Sequence, residues 1–171
     1  MNDPQSTIVV CDAGPLIHLD ELDSLDLLAV HERIIVPEAV WREVKRHRPR
    51  ALEHAALRFK RIDVVPEPGA TLQDLLAVVA VDEGEDAALR LMESYPRATL
   101  LPDDGAARLV AERMGYLFRG TLGIIVASFH DRRKSKDEVI ALLTDVPQRS
   151  SLFVSRRVLH AVIAEVEGSS L

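Results

Sequence analysis

Five acidic side chains stand where apolar runs of this chain give way to helix. Asp12 ends the run in "IVVCDAGPLIHL" (8–19), and Asp103 and Asp104 follow "ATLLP" (98–102). Glu85 sits in the first turn of a helix after "VDEG", and Glu43 lies about two turns into the helix after the second strand. Each has a plain structural reading. Asp is a preferred helix N-cap, acidic residues favour first turns because of the helix dipole, and Asp82 with Glu85 has capping-box spacing. Glu43 reads equally as a solvent-facing partner of Arg46 or His47. Jointly the residues point elsewhere. Three separate segments set a carboxylate where strand ends converge, and a fourth lies close enough to join. Crowded carboxylates repel unless something neutralises them. Magnesium does so with oxygen ligands, taking one or two carboxylates directly and keeping several waters. A metal lowers the pKa of a bound water and neutralises phosphate charge, which is the chemistry of phosphodiester hydrolysis. No Ser, His or Cys nucleophile is needed.

The elements that must position these groups alternate. Residues 7–11, 33–37, 98–102 and 116–120 read as strands, and "IDVV" (62–65) as an edge strand running into Pro66 and Pro68. Helical patterns cover 15–31, 37–47, 50–60, 71–80, 83–94, 103–115, 121–131, 135–147 and 155–167. Strand followed by helix, repeated, implies a parallel sheet with helices on its faces, and such sheets bind ligands beyond the carboxyl ends of their strands. The expected class is therefore α/β, a single domain over 1–171 with the C-terminal helices of about 135–167 packed on it.

The chain has 171 residues, 47% hydrophobic and 28% charged, which marks a globular rather than a disordered sequence. One cysteine, Cys11, excludes an internal disulfide and a Cys-based zinc site and fits a reducing, cytoplasmic setting. The start "MNDPQST" lacks a signal-peptide pattern, and no apolar stretch approaches membrane-spanning length. Net charge is −6, but segment 42–61 holds eight of the 21 Lys and Arg residues, a local patch able to meet a polyanion or simply a solvated face. Trp41, beside it, is read as stacking on an RNA base or packing in the core or a dimer interface. His18 and His130 are read as surface or packing residues.

The ordered set "VVCDAGPLIHLDELDSLDLL", "IIVPEAVWREV", "VDEGEDAALRLM", "LLPDDGAARLVAERMGYLFRGTLGIIVASF" and "LFVSRRVLHAVIAEV" resembles the PIN-domain family, within it a VapC-like toxin group; "GTLG" (120–123) is the most particular match. The resemblance implies a three-layer α/β/α sandwich with a short, mostly parallel central sheet. It implies a magnesium- or manganese-dependent endoribonuclease acting on RNA. It assigns the acidic positions to Asp12, Glu43, Glu85 and the Asp103–Asp104 pair, with Asp104 favoured. Asp12, Glu85, Asp103 and Asp104 are the expected metal residues, and Glu43 orients the water or acts as base. Thr121 either caps its helix or orders a bound water or phosphate. Relatives imply a homodimer and a small protein antitoxin, with Val158, Val162 and Val166 a possible interface or core.

Other readings weigh less. A phosphoacceptor receiver wants an adjacent acidic pair at the first strand, where Asp12 stands alone. A phosphatase using Asp wants a second Asp at position 14, where Gly14 stands. A non-enzymatic PIN-like interaction module, its acidic residues serving only as caps, is the main alternative.

Overall fold

In a computed structural model that describes residues 7–169, the alternating elements close into a five-stranded sheet of order β3-β2-β1-β4-β5. The stretch read as lacking a signal peptide lies, up to Ser6, outside the described residues. The strands are β1 (Ile8–Cys11), β2 (Arg33–Pro37), β3 (Phe59–Ile62), β4 (Thr99–Leu101) and β5 (Leu117–Phe118). Every pairing among the described residues is parallel, so the sheet is parallel throughout rather than mostly.

Alternate strand residues point to opposite faces, which splits the core in two. Val9, Cys11, Ile34 and Val36 pack under α1 (Ala13–Glu21), α2 (Glu38–His47), α6 (Thr121–His130), α7 (Lys136–Arg149) and α8 (Arg156–Gly168). Val10, Ile35 and Leu100 pack under α3 (Ala70–Val78), α4 (Glu83–Ser94) and α5 (Gly105–Met114). The result is the expected three-layer α/β/α sandwich. The C-terminal helices contribute Val139, Leu143, Val146, Leu159 and Val166 to the first core. Val162 is partly buried against it, and Val158 is exposed.

Three local expectations change. The helix expected over 15–31 starts at Ala13, ends at Glu21, and is followed by a separate 3-10 helix over Leu25–Val30. Asp23, at φ 51°, breaks the run between them. The helix expected over 50–60 is a 3-10 turn, Pro49–Glu53, and the edge strand lies at Phe59–Ile62, three residues before the expected start. Gly14 lies in the first turn of α1, where a Cβ would stand 3.1 Å from Asp103 Oδ2.

The chain runs outward from β1 through β2 to β3, then returns to the other side of β1 for β4 and β5. The direction of winding therefore reverses between β1 and β4, and a crevice opens at such a switch point.

Candidate active site

The site is built at that switch point. Cys11 is level with Leu101 across the β1–β4 pair, and the Asp12 amide donates to the Leu101 carbonyl at 3.1 Å. Asp12 and Asp103 thus leave adjacent strand ends. Asp12 occupies the N-cap position of α1, yet its side chain makes no capping bond. It is 7% exposed and faces a cavity of about 740 Å³, with Glu43, Asp82, Glu85, Asp103 and Asp104 around the same space. Capping therefore does not explain Asp12.

The cluster is electrostatically loaded. Burial pushes Asp12 up to about 8, opposed by the Ala13 amide and reinforced by the charges of Asp82, Glu85 and Glu43. Burial raises Glu85 to about 7 against its bond from Asp82, with Asp82, Asp104 and Glu43 adding to the rise. Glu43 is raised by burial and by Asp82, and is only partly relieved by His47 and Arg46. These carboxylates share a space that lacks enough positive charge to ionise them all comfortably.

The remaining acidic groups divide between capping and anchoring. Asp82 and Glu85 form a reciprocal capping box: Glu85 N–H donates to Asp82 Oδ1 at 2.8 Å, and Asp82 N–H to Glu85 Oε2 at 2.9 Å. Among the described residues the second Glu85 oxygen has no hydrogen-bond donor, so Glu85 caps its helix and still faces the cavity. Asp104 Oδ1 caps α5 through Ala106 N–H at 2.6 Å, and among the described residues Oδ2 has no protein donor. Asp103 is fully engaged. Its Oδ1 accepts from Thr121 N–H at 2.7 Å, and its Oδ2 meets Thr121 Oγ1 at 2.6 Å and His18 Nδ1 at 2.7 Å. It ties β4 to α6 and α1. Thr121 is not the N-cap: Gly120 holds that position, and Thr121 is the buried first residue of α6.

His18 and Asp82 are site residues that sequence reasoning passed over. A signal for His18 was present, since Gly14, Ile17, His18 and Glu21 share one helical stripe, and all four line the cavity.

The donor set is chemically suited to a hard divalent cation, being all oxygen and in excess of neutralising charge. Among the described residues, no three His, Cys, Asp or Glu side chains already converge on one point that could hold an ion. A family model described as a PIN domain matches residues 8–168. The chain belongs to the PIN-domain family. PIN domains are generally nucleases and typically use divalent metals. Comparison with curated proteins and with solved structures returns no match.

In this PIN domain three of the eight Lys and Arg residues of 42–61 are committed to internal ion pairs. Arg42 bonds Glu83 at 2.7 Å, Arg48 lies 3.7 Å from both Asp20 and Glu21, and Arg61 pairs with Glu38. Only His47 and Arg48 of that stretch, besides Glu43, line the cavity. Trp41 packs edge-on against Phe59 and beneath Arg61, as part of the fold rather than an open platform. No helix among the described residues is long and apolar enough to cross a membrane.

Proposed function

We propose that the protein is a magnesium- or manganese-dependent endoribonuclease. The observation that carries this reading is Asp12: buried, making no cap, at the switch point of a parallel sheet, and ringed by Glu43, Glu85 and Asp104. Asp12, Glu85 through its second oxygen, and Asp104 through Oδ2 would hold the metal, which supplies charge neutralisation at the phosphate and a more acidic water. Glu43, its carboxyl raised by burial and by Asp82, lines the same cavity and is the group assigned to take the proton from the attacking water. Water then bonds to phosphorus as the bond to the leaving oxygen breaks. Asp103 is assigned the anchoring role, because His18 and Thr121 already use both its oxygens.

A purely capping module accounts for Asp82, Glu85 and Asp104. It leaves Asp12 and Glu43 without a reason to be where they are.

The finer reading is the toxin of a toxin–antitoxin pair, cytoplasmic, homodimeric and held by a small protein antitoxin. It is supported by the VapC-like resemblance of the segments around "GTLG". Growth arrest on expression, abolished by Asp12→Asn, tests it; unimpaired growth with active protein contradicts it.

The enzymatic reading is tested by incubating the protein with total RNA in Mg²⁺, Mn²⁺ or EDTA and mapping the new 5′ ends. Discrete cuts that require metal are expected. Cuts that persist unchanged in EDTA would overturn the metal-dependent reading.

A further inference from the structure

A second cavity, of about 510 Å³, adjoins the acidic one and shares Asp103, Arg108, Leu152 and Phe153 with it. Its chemistry is different. Arg108 and Arg119 line it, and among the described residues neither guanidinium has a carboxylate partner, unlike Arg42, Arg48 and Arg61. Phe153 is 94% exposed on its rim, and Phe118, at the end of edge strand β5, is 39% exposed on another wall. Free-standing aromatic and cationic side chains are thus gathered at the mouth of the site.

The backbone that carries Phe153 and the stem of Arg119 are held in place. Phe153 belongs to the segment between α7 and α8, which is tethered on both sides. Ser151 N–H donates to Glu21 Oε2 at 2.6 Å, and Ser155 caps α8 through Val158 N–H at 3.3 Å. Arg119 is seated by the "GTLG" motif. A Cβ on Gly123 would stand 2.8 Å from Arg119 Cγ, so the absence of a side chain lets the arginine stem lie across the first turn of α6. A Cβ on Gly120 would stand 2.9 Å from Asp103 Oδ1, so the first glycine admits the anchor and the second admits the cation.

We propose that this second cavity seats one unpaired nucleotide of a single-stranded RNA next to the scissile bond, its base on Phe153 and its flanking phosphates on Arg108 and Arg119. The inference rests on the endoribonuclease reading and deepens it. Stacking on an exposed aromatic with backbone contacts to arginines is how single strands are held without regard to sequence. The volume suits a small ligand group, typical sites running from about 300 to 1,000 Å³. A duplex cannot present the unpaired base.

The test is fluorescence anisotropy with a labelled single-stranded oligoribonucleotide and its duplex, with calcium replacing magnesium to slow cleavage. Phe153→Ala is expected to weaken single-strand binding by roughly fivefold to a hundredfold, corresponding to about 1–3 kcal/mol per stacked base, and to leave duplex binding unchanged. Phe153→Trp restores binding. Arg119→Gln flattens the salt dependence of binding by about 0.7 in log–log slope, the value for one phosphate of a single strand. Gly123→Ala, which displaces the arginine stem, reproduces that change. Single-strand affinity within twofold of wild type in both Phe153→Ala and Arg119→Gln overturns the subsite. If wild type still cleaves RNA with metal in that case, the nuclease reading stands alone. A wild type that neither binds nor cleaves RNA overturns both. A Phe153→Ala variant whose only change is its oligomeric state assigns the surface to a second copy and also overturns the proposal.

Discussion

Replacing Asp12 by Asn should make the metal-free protein more stable at neutral pH, against the usual cost of altering a buried residue. The isosteric amide keeps the shape of the side chain, and no capping bond is lost. What disappears is the cost of holding a carboxyl protonated in the fold at a pH where the unfolded chain leaves it ionised. The Asp12 carboxyl rises from 3.8 to about 8 in the fold. A carboxyl whose pKa is higher folded than unfolded contributes fully below its unfolded value, and that contribution is lost as pH rises through the folded one. The loss therefore runs from about pH 4 to about pH 8, at roughly 1.4 kcal/mol per pH unit for one proton. The ceiling by pH 8 is about 5 kcal/mol. For a domain of this size, each kcal/mol moves Tm by about 2–4 °C. Thermal unfolding followed by circular dichroism in EDTA, from pH 5 to 8.5, should show wild type falling about 3–5 °C per pH unit more steeply than Asp12→Asn. Glu85 and Glu43 couple to Asp12 through their charges, so the difference curve reports the ionisation of Asp12 together with that coupling. Parallel curves would refute the argument, because a buried carboxyl short of countercharge cannot be indifferent to its own ionisation.

Magnesium should reverse this penalty: at a hundred times its Kd it stabilises by about 2.7 kcal/mol, a Tm rise of about 5–10 °C that Asp12→Asn should lack in the same scans. Thr121→Val strips Asp103 of its hydroxyl donor at a buried site. It should cost about 1–3 kcal/mol in urea unfolding, with Thr121→Ser, which keeps the hydroxyl, recovering most of that loss. Cys11 is fully buried, its thiol donates to the Asp12 carbonyl at 3.2 Å, and burial first and then Asp12 push its pKa up. Native protein at pH 8 should leave a thiol reagent unreacted, with one equivalent consumed after unfolding; rapid labelling of native protein would contradict the packing of β1.

The central strands were legible because β1, β2 and β4 are short apolar runs buried on both faces, and the strand–helix alternation forced a parallel sheet. The edges were not. The run "IDVV" outscores "FKRI" in apolar content, yet β3 forms at Phe59–Ile62, where Phe59 packs on Trp41 and Arg61 reaches Glu38. These are tertiary contacts invisible to local pattern. The helical pattern over 15–31 is divided because Asp23 turns to positive φ, after which Leu25–Val30 continues as a 3-10 helix. The carboxylates could be found because strand-end position is a topological property carried by the alternation. The choice within the Asp103–Asp104 pair required knowing which oxygens were already bonded. The role of His18 is set by a carboxylate 85 residues away, a tertiary pairing that no local pattern carries.

The most direct test of the account compares metal-dependent cleavage of RNA by wild type and Asp12→Asn, each shown to be folded at the assay temperature. Wild type should produce discrete cuts in magnesium. The variant should produce none, while melting no lower than wild type in EDTA at the same pH. Cleavage by Asp12→Asn at the wild-type rate would contradict the assignment of this buried carboxylate to the metal site.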